Sequence, residues 1–284
     1  MPQVINTNMM SLNSQRALNL SQNSMQTSLE RLSSGLRINR AKDDAAGLAI
    51  SERIGAQVRG LEQANRNGLD GISLMQTAEG ALDEIGNMLQ RMRELAVQSL
   101  NGTVSDKDKA SLNDEYQELK TEIGRVLSST EFNGVNLLGN EDSINLQIGF
   151  RAGASYQLTV SLFNMWSRTL SNGGLQSLLS AAPASGIGSG TGSAAAILGR
   201  LDTAIDNITQ KRADFGAKQN RIESTLRNNA NVIENQSAAR SRIRDADFAR
   251  ETANLTRTQI LQQAGTAMLA QANQIPQSVL QLLG

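Results

Sequence analysis

Two pairs of carboxylates are the residues of this sequence that could bind a divalent cation. Asp43 and Asp44 are adjacent, and Asp245 and Asp247 are separated by one residue. Carboxylate oxygens are ligands that Ca²⁺ and Mg²⁺ prefer. Each pair also lies beside Arg or Lys, which favours ion pairing at a junction over metal binding. The sequence therefore predicts no metal site.

Two other stretches could in principle bind phosphate. The glycine-rich segment 186–192 lacks the spacing and the Lys of a phosphate-binding loop, so we interpret it as a flexible surface loop. The Arg-rich segment 240–244 has acids beside it and no aromatic residues interleaved, which argues against a nucleic-acid interface. We predict no cofactor and no nucleic-acid partner.

Composition removes most enzymatic chemistry. The 284 residues include no His and no Cys, so the commonest general base, thiolate chemistry, disulfides and most zinc sites are absent. The 27 basic and 27 acidic residues balance, and only 3 residues are Pro. The few prolines and the few aromatic residues suit long helices better than the sheet-based core of an enzyme. Neither a Sec-type signal nor an apolar run long enough for a membrane is visible, so export would need another route.

The two ends of the chain are almost free of charge. Only Arg16 is ionised between Met1 and Leu29, and no residue is ionised from Thr258 to Gly284. Chain termini are usually polar and frayed. Charge-free ends indicate segments that are buried against each other and against other copies, which predicts a self-assembling structural protein.

Apolar residues recur at helical spacing in both ends. The predicted assembly seam consists of Leu18, Met25, Leu29, Leu32 and Leu36 near the start, and Leu261, Met268, Ile275 and Leu282 near the end. Pro276 predicts a break close to the end of the last helix. Because the clusters 37–44 and 240–250 interrupt the helices at equal distances from the termini, we expect them to lie side by side.

The interior predicts a helical bundle with strands. Met75, Ala78, Leu82, Ile85, Leu89, Met92 and Ala96 keep a 3-4 alternation, and Leu112–Val126 and 198–233 carry similar seams. Ser105 and Asp108 resemble a capping box, 132–134 predicts a turn, and 144–148 and 156–162 alternate as strands. The predicted fold is mainly α, with a long antiparallel helical hairpin, a bundle with small β-hairpins and a short outer loop. We predict a terminal domain of 1–43 with 244–284, a bundle of 44–162 with 194–243, and a variable segment of 163–193.

The terminal hairpin is expected to be disordered in an isolated chain. Ordering each residue costs roughly 1–2 kcal/mol of backbone entropy, whereas burying one Leu or Met contributes about 1.5–3 kcal/mol. One seam in a two-helix hairpin cannot offset the ordering of its residues, so neighbouring copies must supply further surface.

Several long motifs, in order, resemble those of bacterial flagellins. They are VINTN (4–8), RLSSGLRIN (31–39), KDDAAGLAIS (42–51), DGISLMQTAEGAL (70–82), QRMRELAVQ (90–98), EFNGVNLL (131–138), RIRDADFA (242–249) and QAGTAMLAQAN (263–273). The resemblance implies a secreted subunit of the extracellular flagellar filament, exported unfolded by the flagellar type III system. It also implies self-polymerisation, an export chaperone on the C-terminal helix, and contacts with filament cap and hook-junction proteins.

The same resemblance identifies a patch that host flagellin receptors contact. Its members here would be Arg91, Leu95 and Glu115. The alternative is that Arg91 and Glu115 are ordinary solvated helix charges and Leu95 flanks a seam, and this interpretation fits the protein's own purpose better.

Other function classes fit the sequence less well. A hook–filament junction protein shares terminal coiled coils, but the motif at 70–82 and the long matched C-terminus favour a filament subunit. A zinc-protease insert requires H-E-x-x-H, and the chain has no His. A signalling coiled coil would have charged flanks and a membrane span, and a helical adaptor would stay monomeric at high concentration.

Overall fold

The computed structural model describes residues 7–139, 143–162, 187 and 191–283, and in the last range it describes side chains from 195 to 274. The elements follow in the order α1 (Met9–Ser34), α2 (Ala45–Ser99), α3 (Asp106–Ser129), β1 (Glu131–Phe132), β2 (Val135–Asn136), β3 (Ser143–Gln147), a 3₁₀ turn (Ala154–Tyr156), β4 (Gln157–Ser161), α4 (Thr191–Arg244) and α5 (Phe248–Leu283). This architecture confirms the predicted mainly helical fold. The predicted outer loop at 163–193 lies almost wholly outside the described residues.

The protein divides into two compact units. The terminal unit comprises Met1–Val58 with Glu234–Gly284, and the bundle unit comprises Arg59–Ile233. The domain limits predicted from the sequence stay a prediction. Among the described helices, none combines the length and the hydropathy that a membrane crossing needs.

The core of the bundle unit lies where α2, α3 and α4 pack together. The predicted α2 seam is confirmed, because all seven of its residues are at most 1 % exposed. Tyr116 and Ile123 of α3 and Phe215 of α4 bury their side chains against the same core. Helix α3 begins with the predicted capping box of Ser105 and Asp108.

Two antiparallel hairpins complete the bundle unit. β1 pairs with β2 through a two-residue turn in which Asn133 and Gly134 have φ values of 51° and 77°. Asn-Gly suits such a turn because both positions need positive φ. β3 pairs with β4 in a register that places Leu146 opposite Leu158. Both predicted hairpin regions are therefore confirmed.

Side-chain amides and glycines hold the β3–β4 hairpin against the helices. Asn67 Nδ2 donates to Gln147 O at 3.0 Å, and the buried Asn229 donates to Ile148 O at 3.1 Å and to Asn65 Oδ1 at 3.0 Å. A Cβ atom on Gly71 would overlap the side chain of Leu146. Because Gly71 has no side chain, the hairpin can pack closely against α2.

Helix α5 continues past Pro276 to Leu283, so the predicted break there is wrong. Proline has no N–H, so within a helix it leaves the carbonyl four residues earlier without its usual donor. In α5 that carbonyl belongs to Ala272, and Asn8 Nδ2 donates to it at 2.8 Å. A side chain from the other end of the sequence thus replaces the bond that Pro276 removes.

Candidate assembly surface of the terminal helices

Backbone hydrogen bonds join the break between α1 and α2 to the break between α4 and α5. Arg37 N donates to Arg244 O at 2.7 Å, and Ala246 N donates to Gly35 O at 2.9 Å. Gly35 has a φ of 69°, which ends α1 in the left-handed conformation that glycine favours. The expectation that segments 37–44 and 240–250 lie side by side is therefore confirmed at residues 35–38 and 243–246.

The carboxylates of these segments bind backbone N–H groups. Asp44 accepts from Gly47 N at 2.8 Å at the start of α2, and Asp247 accepts from Ala249 N at 2.9 Å at the start of α5. Asp43 accepts from Arg40 N at 3.0 Å, and this hydrogen bond is the main cause that lowers the pKa of its carboxyl.

The expected ion pairing of these acids is wrong, since among the described residues none of the four acids forms a salt bridge. Free backbone donors at helix starts are the closer partners. Within the described part of the protein, no three acidic, His or Cys side chains gather as a metal site.

The antiparallel contact between α1 and α5 contains small and large side chains in equal number. Buried or half-buried positions recur at a 3-4 spacing in both helices. They are Ser11, Ser14, Leu18, Ser21, Met25, Ser28 and Leu32 in α1, and Glu251, Leu255, Thr258, Gln262, Gly265, Leu269 and Ala272 in α5. Ser21 Oγ donates to Thr258 O at 3.2 Å across the contact. Half of these side chains are small, and large apolar ones such as Leu18 and Met25 are only half-buried, so the contact buries limited apolar surface.

One ion pair lies inside this contact. Glu251 is 8 % exposed, and its carboxylate accepts from Ser28 Oγ at 3.0 Å and from Arg31 Nη1 at 3.1 Å. The Nε atom of Arg31 is buried without a hydrogen-bond partner. Among the described residues, this is the ion pair that joins α1 to α5. Together with the hydrogen bonds from Asn8 to Ala272 and from Ser21 to Thr258, it joins defined turns of the two helices.

Large apolar side chains are exposed on the outer surfaces of the same helices, among polar ones. The large side chains concerned are Met9, Met10, Leu12, Leu20, Leu29, Ile260, Leu261 and Met268, with exposures between 47 and 69 %. An open groove of about 540 Å³ runs beside them, lined by residues such as Ala17, Leu18 and Gly265. Exposed apolar side chains that line a groove make this surface a candidate contact site.

The predicted seam residues are divided between two faces. Leu18, Met25 and Leu32 are half-buried between α1 and α5, whereas Leu29, Leu261 and Met268 are exposed. Leu36 lies beyond the end of α1 and forms a bridge with Asp245. The side chains of Ile275 and Leu282 lie outside the described residues. As contacts between copies, all of these residues stay a prediction.

The three residues of the predicted receptor patch differ in their exposure to solvent. Arg91 and Glu115 are exposed on neighbouring helices, with Nε and Oε1 at 2.8 Å, and this bond is the main cause that raises the pKa of Arg91. Leu95 is fully buried in the core of the bundle unit. Burial leaves Leu95 no surface to offer a partner, so Arg91 and Glu115 are the members of the patch that a partner could touch.

Sequence reasoning missed the serine positions of α1 and the role of Glu251. The signal was present, since Ser11, Ser14, Ser21 and Ser28 follow the 3-4 spacing of a seam. A search restricted to apolar residues cannot detect a contact made by small ones.

Comparisons with known proteins match both ends of the sequence. A family profile described as the bacterial flagellin N-terminal helical region matches residues 5–143, and one described as the C-terminal helical region matches 198–283. A flagellin from Halalkalibacterium halodurans is 50% identical over 281 residues, covering 99% of both chains. One from Bacillus subtilis is 44% identical over 308 aligned positions, covering 98% of this chain and 99% of its own.

A solved structure shares the fold. It is that of a candidate flagellar hook-associated protein from Vibrio parahaemolyticus, with a TM-score of 0.61 over 71% of this chain and 99% of that one. Its sequence is 13% identical, so the likeness concerns the fold alone.

Proposed function

The chain belongs to the bacterial flagellin family, which makes it a structural filament subunit and not an enzyme, and we propose that it polymerises through α1 and α5. The observation that supports this proposal is the set of large apolar side chains that α1 and α5 leave exposed. In a filament, neighbouring copies would cover Leu29, Leu261 and Met268 and add the burial that a two-helix hairpin lacks.

The route to the filament is part of the proposal. The subunit leaves the cell unfolded through the flagellar type III apparatus, and α1 and α5 order when they meet neighbouring copies. An export chaperone covers the C-terminal helix before export. Cap and hook-junction proteins contact the two ends of the filament. The assembled filament is extracellular and serves as the propeller.

The domain roles follow from this arrangement. We assign residues 1–43 with 244–284 to the terminal coiled-coil domain that polymerises, 44–162 with 194–243 to the bundle domain, and 163–193 to the variable segment. If a host receptor contacts Arg91 and Glu115, the host recognises a helix surface that the protein keeps for its own structure. Loss of receptor signalling in Arg91→Ala, with filaments intact, is the expected result; unchanged signalling would exclude the contact.

Seeded assembly tests the main proposal. The full-length protein, mixed with short filament seeds, should grow long uniform filaments by negative-stain electron microscopy, and a variant lacking 1–39 and 258–284 should not. Filaments from the truncated variant would refute the role of the terminal helices. Persistent monomers of the full-length protein would favour an adaptor or junction protein.

A further inference from the structure

Three Asn-Gly pairs in the described residues lie in different backbone settings. They are Asn67-Gly68 within α2, Asn101-Gly102 in the turn between α2 and α3, and Asn133-Gly134 in the turn between β1 and β2. A fourth pair, at 172–173, lies outside the described residues. The three settings differ in how freely the glycine nitrogen can reach the preceding side chain.

That freedom decides a spontaneous reaction of asparagine. The deprotonated glycine nitrogen attacks Cγ of the Asn side chain, a new bond forms between these two atoms, and ammonia leaves as the bond between Cγ and Nδ2 breaks. Water then opens the cyclic imide at either carbonyl and gives Asp or isoaspartate. Water is the co-reactant, and no electron is transferred. Glycine favours the reaction because it has no Cβ to obstruct ring closure.

Two of the pairs are locked against ring closure. Gly68 is buried in α2, where its N–H belongs to the helical ladder, and Asn67 Nδ2 donates to Gln147 O at 3.0 Å. Asn133 and Gly134 hold positive φ values between the paired residues Phe132 and Val135. Rotating either peptide into the imide would break a helix turn or a hairpin.

The Asn101-Gly102 pair lies outside any helix or strand and is not restrained in either of these ways. Both residues are exposed, and among the hydrogen bonds of the described residues none uses the Gly102 N–H as donor. Thr103 N donates to Asn101 Oδ1 at 3.3 Å, which turns the carboxamide toward the following backbone and polarises its carbonyl. The Gly102 nitrogen and the Asn101 side chain are therefore both open to solvent at this turn.

We propose that Asn101 is a spontaneous deamidation site, at which the folded protein gains a carboxylate and, in part, an isoaspartyl linkage as it ages. The new charge lies two residues after Ser99, the last residue of α2, where the helix dipole disfavours a negative group. The isoaspartyl form also adds a backbone carbon to the connection between two core helices. Aged and newly made copies thus differ at one surface turn.

The test compares the three sites in the purified full-length protein. Samples are held at neutral and mildly alkaline pH, digested with trypsin, and analysed by mass spectrometry with chromatographic separation of isoaspartyl peptides. Conversion at Asn101 should exceed that at Asn67 and Asn133 several-fold and should rise with pH. In urea, which removes the folded restraints, the three sites should convert at similar rates.

A matched variant isolates the chemistry. A Cβ atom on Gly102 would meet nothing within 4 Å, so Gly102→Ala should leave the fold unchanged and slow conversion at Asn101 several-fold. Equal conversion at Asn101 and Asn133 in the folded protein would overturn the proposal. A glycan on Asn101, which heads an Asn-Gly-Thr sequence, would overturn it too, because the glycan blocks the same side-chain amide.

Discussion

Replacing Glu251 by Gln removes the charge of the ion pair inside the terminal hairpin while keeping the shape of the side chain. The side chains of Glu251 and Arg31 are 10 % and 29 % exposed. Breaking a fully buried pair costs about 3–5 kcal/mol, because one charge stays behind without a partner. Arg31 keeps some solvent and the introduced glutamine could still accept its hydrogen bond, so we expect a loss of about 2 kcal/mol.

The assay is the critical concentration of seeded filament growth. If the hairpin orders on assembly, as proposed, the loss appears in the equilibrium between free and assembled copies. A change of about 2 kcal/mol corresponds to a critical concentration raised about 30-fold, because each 1.4 kcal/mol is about tenfold. Circular dichroism of the unassembled protein tests whether the bundle unit is intact.

A matched control uses a pair in the same unit. Arg40 and Glu30 are 2.8 Å apart with side chains 63 % and 32 % exposed, so Glu30→Gln should cost at most about 1 kcal/mol. The double variant Glu251→Leu with Arg31→Met should recover much of the loss, because it removes both charges together. If Glu251→Gln raises the critical concentration no more than Glu30→Gln does, the reasoning about this pair is refuted.

Three further predictions concern the bundle unit. Asn229→Leu removes the donor for two half-buried acceptors, Asn65 Oδ1 and Ile148 O, and should increase trypsin cleavage after Arg151 several-fold. Unchanged cleavage would mean that the amide does not hold the hairpin in place. Gly80→Ala should raise the free energy of unfolding, measured by urea titration, by about 1 kcal/mol, because its Cβ meets nothing within 4 Å. In the same titration Gly71→Ala should lower the free energy of unfolding, because its Cβ would overlap Leu146. A stabilised Gly71→Ala variant would contradict this close contact. Burial raises the pKa of Tyr116 to about 12, so the unfolded state ionises first and stability should fall between pH 10 and 12 by about 2–3 kcal/mol from this group. Thermal unfolding of Tyr116→Phe should lack that part of the fall, and identical profiles would exclude it.

The bundle unit could be predicted from the sequence because burial there coincides with apolar residues. In a three-helix packing, each helix has two neighbours, and large side chains such as Leu82, Met92 and Phe215 fill the space between them. The strands were predictable for the same reason, since Leu158 and Val160 alternate with exposed residues. The roles of the glycines could not be predicted from the sequence. Gly71 and Gly80 lie in one continuous helix, yet a Cβ atom on Gly71 would overlap a hairpin residue and one on Gly80 would meet nothing within 4 Å.

The terminal hairpin could be predicted only in outline. Its apolar residues lie on several faces of α1 and α5, so their spacing does not tell the intrachain contact from the outer surface. Asp44 and Asp247 were misread because a carboxylate beside a basic residue in sequence can still point to the first turn of a helix. Pro276 was misread because the donor to Ala272 O comes from Asn8, at the opposite end of the sequence.

The small side chains of the α1–α5 contact bear on why this protein would polymerise. Serine burial contributes little hydrophobic free energy, so a contact built on Ser11, Ser21 and Ser28 cannot by itself offset the ordering of two long helices. Of the large apolar side chains, Leu29 and Met268 are exposed, and Leu18, Met25 and Leu32 are only half-buried. On the proposed function, folding of the terminal hairpin and growth of the filament are therefore one event. The buried ion pair then contributes register, which apolar side chains spread over several faces cannot specify.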